Sequence, residues 1–142
     1  MDSLGRHILV EFYGCDVTLL NKASAVKEML EDAARAARCT IVDSFVHQFS
    51  PYGVSGVVVI AESHLTIHTW PEYNYAAIDI FTCGEVIKPE VAASYLIDQF
   101  ESKSPSVVEM KRGILSHENV KLPHKVSSGD PSDTTLYQTV SG

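Results

Sequence analysis

The chain alternates between apolar and polar positions over several short stretches, and each such stretch predicts a β-strand. From His7 to Tyr13, apolar residues take every second position, which is the period of a strand with one buried face. From about Asn21 to Arg38, the apolar positions recur every three or four residues instead. They form one stripe along a predicted helix, which consists of Val26, Met29, Leu30, Ala33 and Ala37.

Runs of β-branched and aromatic residues predict further strands over 41–49, 54–60, 65–70, 75–82 and 106–111. Turn residues separate them, for example Ser50-Pro51-Tyr52-Gly53. Pro89 suits the first turn of a second helix. Several strands joined by tight turns, with two amphipathic helices, predict an α+β fold. We expect a two-layer α/β sandwich in which two helices cover one face of a mostly antiparallel sheet.

The alternation also sorts the strand residues between the two faces of this sheet. The apolar face, expected under the helices, carries Ile8, Val10, Phe12, Leu65, Ile67, Ile78 and Ile80. The opposite face carries His7, Glu11, Tyr13, Asp43, His47, Phe49, His64, Thr66, His68, Trp70, Asp79, Phe81 and Cys83. A face that mixes aromatic, polar and ionisable side chains in this way is typical of a surface that meets a partner or ligand. Homodimerisation through it would enclose a site between two facing sheets.

Length and composition fit one domain over residues 1–115, followed by a polar stretch, 116–142, that is predicted to be disordered. The 142 residues carry 18 acids against 11 bases and no basic cluster, which argues against a nucleic-acid surface. The three cysteines show no paired spacing, so a disulfide framework is not expected. Without a signal peptide or a membrane-spanning run, we expect a cytoplasmic protein with no membrane contact.

The segment from Ala61 to Glu72 holds the densest reactive chemistry of the chain. The hydroxyl of Ser63 could attack the carbonyl of Glu62, which would turn the peptide bond into an ester. Loss of the Ser63 α-proton would break that ester by β-elimination and lead, with release of ammonia, to a pyruvoyl group. His68 could supply the base and Ser55 a hydroxyl donor. From spacing alone, however, a serine that caps a turn is the more common structure.

The two histidines of this segment could suggest a metal site, but the local pattern argues against one. Thr66, Ile67 and Thr69 favour a strand, in which His64 and His68 lie roughly 13 Å apart. That separation is too long for one zinc ion, so no metal site is predicted and His64 is expected to play a structural role.

Four further side chains have both a functional and a structural interpretation. Cys83, at a predicted strand end, could donate a proton or simply pack. Phe49 and Trp70 could stack against a flat ligand or serve as interface hydrophobes. Glu72 could accept hydrogen bonds from ribose hydroxyls or lie in an ordinary loop. Sequence spacing does not decide among these alternatives.

Four blocks of residues in the same order resemble the small prokaryotic S-adenosylmethionine decarboxylase proenzymes. They are Gly5-Arg6-His7, Pro51-Tyr52-Gly53-Val54-Ser55-Gly56, Glu62-Ser63-His64-Leu65-Thr66-Ile67-His68-Thr69-Trp70-Pro71-Glu72 and Phe81-Thr82-Cys83-Gly84. The resemblance runs from about Ser3 to about Gly113 and leaves the polar stretch outside.

This resemblance implies a precursor that cuts itself, without hydrolysis, between Glu62 and Ser63. Residues 1–62 would become a β chain and residues 63–142 an α chain, and Ser63 would become the pyruvoyl cofactor. The resemblance gives His68 as the processing base, Ser55 as a second processing residue, and Cys83 as the proton donor in decarboxylation. No metal and no pyridoxal phosphate are expected.

The resemblance also implies the substrate and the assembly. S-adenosylmethionine would be decarboxylated to the aminopropyl donor for spermidine synthesis, with Phe49 at the adenine and Glu72 at the ribose. Trp70, the second aromatic residue that could stack, is also expected to bind the substrate. The precursor would be a homodimer, and the processed enzyme a dimer of αβ units with its sites between the sheets. Two alternatives stay open: a pyruvoyl-dependent arginine or ornithine decarboxylase on the same scaffold, and an uncleaved dimeric binding module.

Overall fold

The computed structural model describes residues 3–115, and in this range six strands form one sheet. They are β1 (Ser3–Phe12), β2 (Thr40–Gln48), β3 (Val54–Ala61), β4 (Ser63–Trp70), β5 (Tyr75–Cys83) and β6 (Ser106–Ile114). The strand order is β2-β3-β4-β5-β1-β6, and every neighbouring pair is antiparallel. The predicted α+β class is therefore confirmed. Residues 116–142, predicted to be disordered, lie outside the described part of the chain.

Three helices accompany the sheet in residues 3–115: α1 (Val17–Leu20), α2 (Ala23–Ala36) and α3 (Pro89–Gln99). The two long ones match the predicted helices, whereas the short α1 was not predicted. The side chain of Asp16 caps α1 by accepting hydrogen bonds from the backbone N–H groups of Thr18 and Leu19. None of the helices in this range is long and apolar enough to cross a membrane.

Helices α2 and α3 pack on one face of the sheet and enclose the core. The predicted stripe of α2 and the seven predicted apolar strand residues are all buried. Thr69 ties three elements together inside this core, because its hydroxyl donates to the Leu20 carbonyl and accepts from the Val54 N–H, both at 2.8 Å. This contact fixes the end of α1 against the start of β3 and the end of β4.

The opposite face of the sheet is not covered by any element in residues 3–115, and we call it the open face. The open face is continuous over all six strands, because residues that pair directly across neighbouring strands point to the same side. Large apolar side chains are exposed on it: Leu9, Tyr13, Phe45, Phe49, Val59, Trp70, Val108 and Met110. Phe45 is 65% exposed and Met110 54%, which is far more than an isolated surface hydrophobe requires.

Candidate active site

The candidate residues fall into two groups at opposite ends of the sheet. Glu62, Ser63 and Cys83, which we call the turn group, lie where β3 turns into β4. Ile60 pairs with Ser63, so Ala61 and Glu62 form a two-residue turn. His64 pairs with Phe81, and the next positions toward the turn therefore place Glu62 beside Cys83, the last residue of β5.

The hydroxyl of Ser63 is buried and has no hydrogen-bond partner among the residues that the structure describes. In β4, Ser63 and Leu65 are two residues apart, so their side chains point to the same face of the sheet. The Leu65 side chain is buried under the helices, and this explains why the Ser63 hydroxyl is buried too. Buried hydroxyls are normally hydrogen-bonded. An unpartnered hydroxyl directly after the Glu62 carbonyl is not held by a competing acceptor, and it is the group that an intramolecular attack would use.

The second group, which we call the dyad group, lies at the other end of the sheet. Ser55 and His68 pair directly across β3 and β4, and Ser55 Oγ lies 2.7 Å from His68 Nδ1. Their hydrogen bond faces a pocket of about 180 Å³ on the open face. The pocket is lined by Phe45, His47, Ser55, Gly56, Val57, Thr66 and His68. Such a hydroxyl–imidazole pair can take up or deliver a proton at a bound molecule.

Phe49, Trp70 and Glu72 belong to the same end as the dyad. Phe49 follows the last residue of β2, Trp70 ends β4, and Glu72 lies in the 3-10 turn Pro71–Tyr73. The turn group is far from all of them within one chain. Ser63 and His68 are five residues apart along one strand, which corresponds to about 17 Å between their Cα atoms.

The pKa values of all three cysteine thiols are raised, which favours their protonated forms. Burial, and secondarily the charge of Glu62, raises the pKa of Cys83. Burial raises the pKa of both Cys15 and Cys39 to about 11. All three are free thiols. Only Cys83 combines a protonated thiol with a place beside the Glu62–Ser63 bond, which is the state that a proton donor requires.

Comparison with known proteins identifies the family of the chain. The family model for S-adenosylmethionine decarboxylase matches residues 6–113. The chain belongs to this family. A relative named S-adenosylmethionine decarboxylase proenzyme from Thermodesulfovibrio yellowstonii is 61% identical over 126 residues, which cover 89% of this chain and 93% of that protein. A proenzyme of the same name from Acidithiobacillus ferrooxidans is 55% identical over 113 residues, or 80% of this chain and 85% of that protein.

The fold is shared with a solved member of the family. The crystal structure of the adenosylmethionine decarboxylase from Aquifex aeolicus superposes with a TM-score of 0.79 at 38% sequence identity. The match covers 85% of this chain and all of the solved chain. The fold of the chain is therefore that of a solved adenosylmethionine decarboxylase.

Aromatic rings gather around the dyad end of this S-adenosylmethionine decarboxylase family member. His47 lies edge-on to Phe49, with ring centroids 4.6 Å apart. Trp70 stacks on Tyr75 at 5.4 Å, and Tyr75 stacks in turn on Tyr13 at 5.4 Å. Both Phe49 and Trp70 are exposed, so they are open to a flat ligand on the open face.

Sequence reasoning did not single out His47 or Tyr75 as neighbours of the candidate site. Alternation could place His47 on the correct face, but only the register shows that it lies opposite Ser55. His64 was expected to play a structural role, and its neighbours include His7 and Asp79 from other strands. No sequence spacing signals this cluster, because its members come from three strands.

Proposed function

We propose that the chain is a self-processing, pyruvoyl-dependent decarboxylase of S-adenosylmethionine, whose product serves as the aminopropyl donor for spermidine synthesis. The observation that supports this most directly is the buried, unpartnered hydroxyl of Ser63 directly after the Glu62 carbonyl. Membership of the family and the proenzyme names of its relatives support the same proposal. No comparison favours an arginine or ornithine decarboxylase, or a binding module.

The proposed maturation needs only groups of the chain and one water molecule. Ser63 Oγ attacks the Glu62 carbonyl carbon, and the acyl group moves from nitrogen to oxygen to give an ester. A base then removes the Ser63 α-proton, and the main-chain carboxylate of Glu62 leaves. The resulting enamine isomerises to an imine. Water releases ammonia and leaves a carbonyl, so the products are a chain of residues 1–62 and a chain of residues 63–142 with an N-terminal pyruvoyl group.

The residues near Ser63 suit the decarboxylation that would follow. The pyruvoyl carbonyl supplies the electron sink that breaking the bond to carbon dioxide requires, without pyridoxal phosphate or a metal. Cys83, protonated and beside the former Glu62–Ser63 bond, delivers a proton to the substrate α-carbon. Phe49 and Trp70 stack on the adenine, and Glu72 accepts hydrogen bonds from the ribose hydroxyls.

A single chain does not bring these residues together, and this favours a site shared by two chains. The exposed apolar side chains of the open face favour burial against a second copy, in a symmetric homodimer. Both groups lie on the central strands of the same sheet. A two-fold axis between two facing sheets, running across the strands, exchanges the strand ends. It therefore brings the turn group of one chain over the dyad group of its partner.

In this arrangement each complete site takes Cys83 and the main chain of the Glu62–Ser63 turn from one chain, and Ser55 and His68 from the other. The Ser63 hydroxyl itself points to the helix-covered face. Phe49 and Glu72 accompany the dyad. The processing base thus acts across the interface, and the processed enzyme is a dimer of αβ units. The free thiols support a location in the reducing cytoplasm.

Two measurements test the proposal together. The intact mass of the purified protein should show two fragments, with the second starting at position 63 and lacking the serine amine. Carbon dioxide should be released from S-adenosylmethionine but not from arginine or ornithine. The Ser63→Ala protein is the matched control and should stay whole and inactive. An uncut chain after long incubation, or release only from arginine or ornithine, would overturn the proposal.

A further inference from the structure

A cluster of three metal-binding side chains lies on the open face and has no role in the proposed reaction. His7 comes from β1, His64 from β4 and Asp79 from β5, the strand between them. All three side chains are partly buried. The strand register holds the two histidines at the same level of the sheet, because His64 and His7 both pair with Phe81 of β5, one from each side.

The spacing of the ligand atoms fits one small cation. His7 Nε2 lies 3.2 Å from Asp79 Oδ2, His64 Nε2 lies 3.7 Å from Asp79 Oδ1, and one atom from each of the three residues lies within 4.8 Å of the others. Ligand atoms at ordinary zinc bond lengths in a tetrahedral site are about 3.3 Å apart. His7 Nε2 is within hydrogen-bond distance of Asp79 Oδ2, whereas His64 Nε2 is too far from Asp79 Oδ1 for a hydrogen bond, so the His64 side of the cluster stays open.

We propose that His7, His64 and Asp79 bind a divalent transition-metal ion of the zinc type. Two imidazole nitrogens and one carboxylate oxygen are ligands that zinc, cobalt and nickel prefer. Thr66 donates a hydrogen bond to the Asp79 carboxylate, the kind of supporting contact that orients a ligating carboxylate. The ion would link β1, β5 and β4, and a fourth position would remain for water.

Arg112 is a neighbour that opposes binding of the ion, and replacing it tests the inference. Its guanidinium donates to His7 Nδ1 at 3.4 Å and also lies over the ring of Phe81. This donor favours the His7 tautomer with its proton on Nε2, whereas a metal on Nε2 requires the proton on Nδ1. Arg112→Gln removes a positive charge and supplies a carbonyl oxygen that can accept from Nδ1–H.

The experiment uses the untagged full chain, stripped with a chelator and titrated with Zn²⁺ by calorimetry. A parallel titration with Co²⁺ reports tetrahedral coordination through its visible absorbance. We expect one ion per chain and an affinity lowered at least about tenfold in His64→Ala and Asp79→Asn. Arg112→Gln should tighten binding by about tenfold, since second-sphere contacts change metal affinity by 10–100-fold. His47→Ala, a histidine outside the cluster, should bind like the original chain.

Several results would overturn the proposed metal site. The inference fails if the original chain binds no ion, or if His64→Ala binds as tightly as the original chain. It also fails if Arg112→Gln leaves the affinity unchanged. The two histidines of residues 116–142 are His117 and His124, and loss of binding in the double variant His117→Ala/His124→Ala would also overturn the inference. Circular dichroism of each variant separates loss of a ligand from loss of the fold. Self-cleavage and decarboxylation are measured independently, so neither result depends on the other.

Discussion

Two inactive variants should restore each other if the site is shared between chains. One variant is Ser63→Ala, which cannot form the pyruvoyl group, and the other is His68→Ala, which lacks the proposed processing base. In the mixed dimer, Ser63 of the His68→Ala chain faces the intact His68 of the Ser63→Ala chain. That dimer therefore contains one complete site, while its second site lacks both groups.

The expected magnitude of the recovered activity follows from the length of β4 and from the symmetry of the proposed dimer. Five residues of strand separate Ser63 from His68 by about 17 Å, whereas proton transfer requires contact at about 3 Å. Within one chain, His68 is therefore too far to act on Ser63. In a random equal mixture, half of the dimers are mixed and each has one of two sites complete, so about a quarter of the original activity should return.

The assay co-expresses the two variants with tags of different size and follows both chains on a denaturing gel. We expect the His68→Ala chain to be cut faster in the mixture than alone, while the Ser63→Ala chain stays whole. Carbon dioxide release should recover in parallel. Equal cutting rates with and without the partner variant, in samples shown to contain mixed dimers, would refute a shared site.

Three further changes test single contacts. Cys83→Ala should leave cutting intact but decarboxylate poorly, and unchanged turnover in a carbon dioxide assay would remove Cys83 as proton donor. Glu62→Gln in the uncut Ser63→Ala chain should lower the Cys83 pKa, because one cause of its increase is removed. The curve of alkylation rate against pH should therefore move to lower pH, and an unshifted curve would contradict this. Thr69→Val should lower the free energy of unfolding by about 2 kcal/mol, because it leaves the buried Val54 N–H without its acceptor; urea denaturation measures this, and no loss would contradict it.

The two faces of the sheet were predictable because alternation depends only on local sequence. The break between α1 and α2 was not, because contacts from a distant loop hold it. Asn21, which ends α1, accepts hydrogen bonds from the Gly53 N–H and from the side chain of Gln48. These partners come from the β2–β3 connection, so the periodicity of residues 21–38 carries no sign of them.

The candidate site shows the same division between local and distant information. The segment around Ser63 could be singled out from its residues, and spacing along β4 already separated His64 from His68. Register supplied what spacing could not: Ser55 opposite His68, and Asp79 between His7 and His64. Which strands lie side by side is a property of the whole chain, and no short motif records it.

The open face explains why so small a protein would need two copies to act. One sheet with helices on a single side leaves the Ser55–His68 pair and the rings of Phe49 and Trp70 exposed, and water weakens electrostatic contacts there. A second sheet over the first would bury Cys83 further and favour its protonated thiol, which is the state that proton donation requires. If His68 acts only on the partner, cofactor formation also waits for assembly. A chain without its partner would then keep Ser63 unmodified until the surface that protects the reaction is complete.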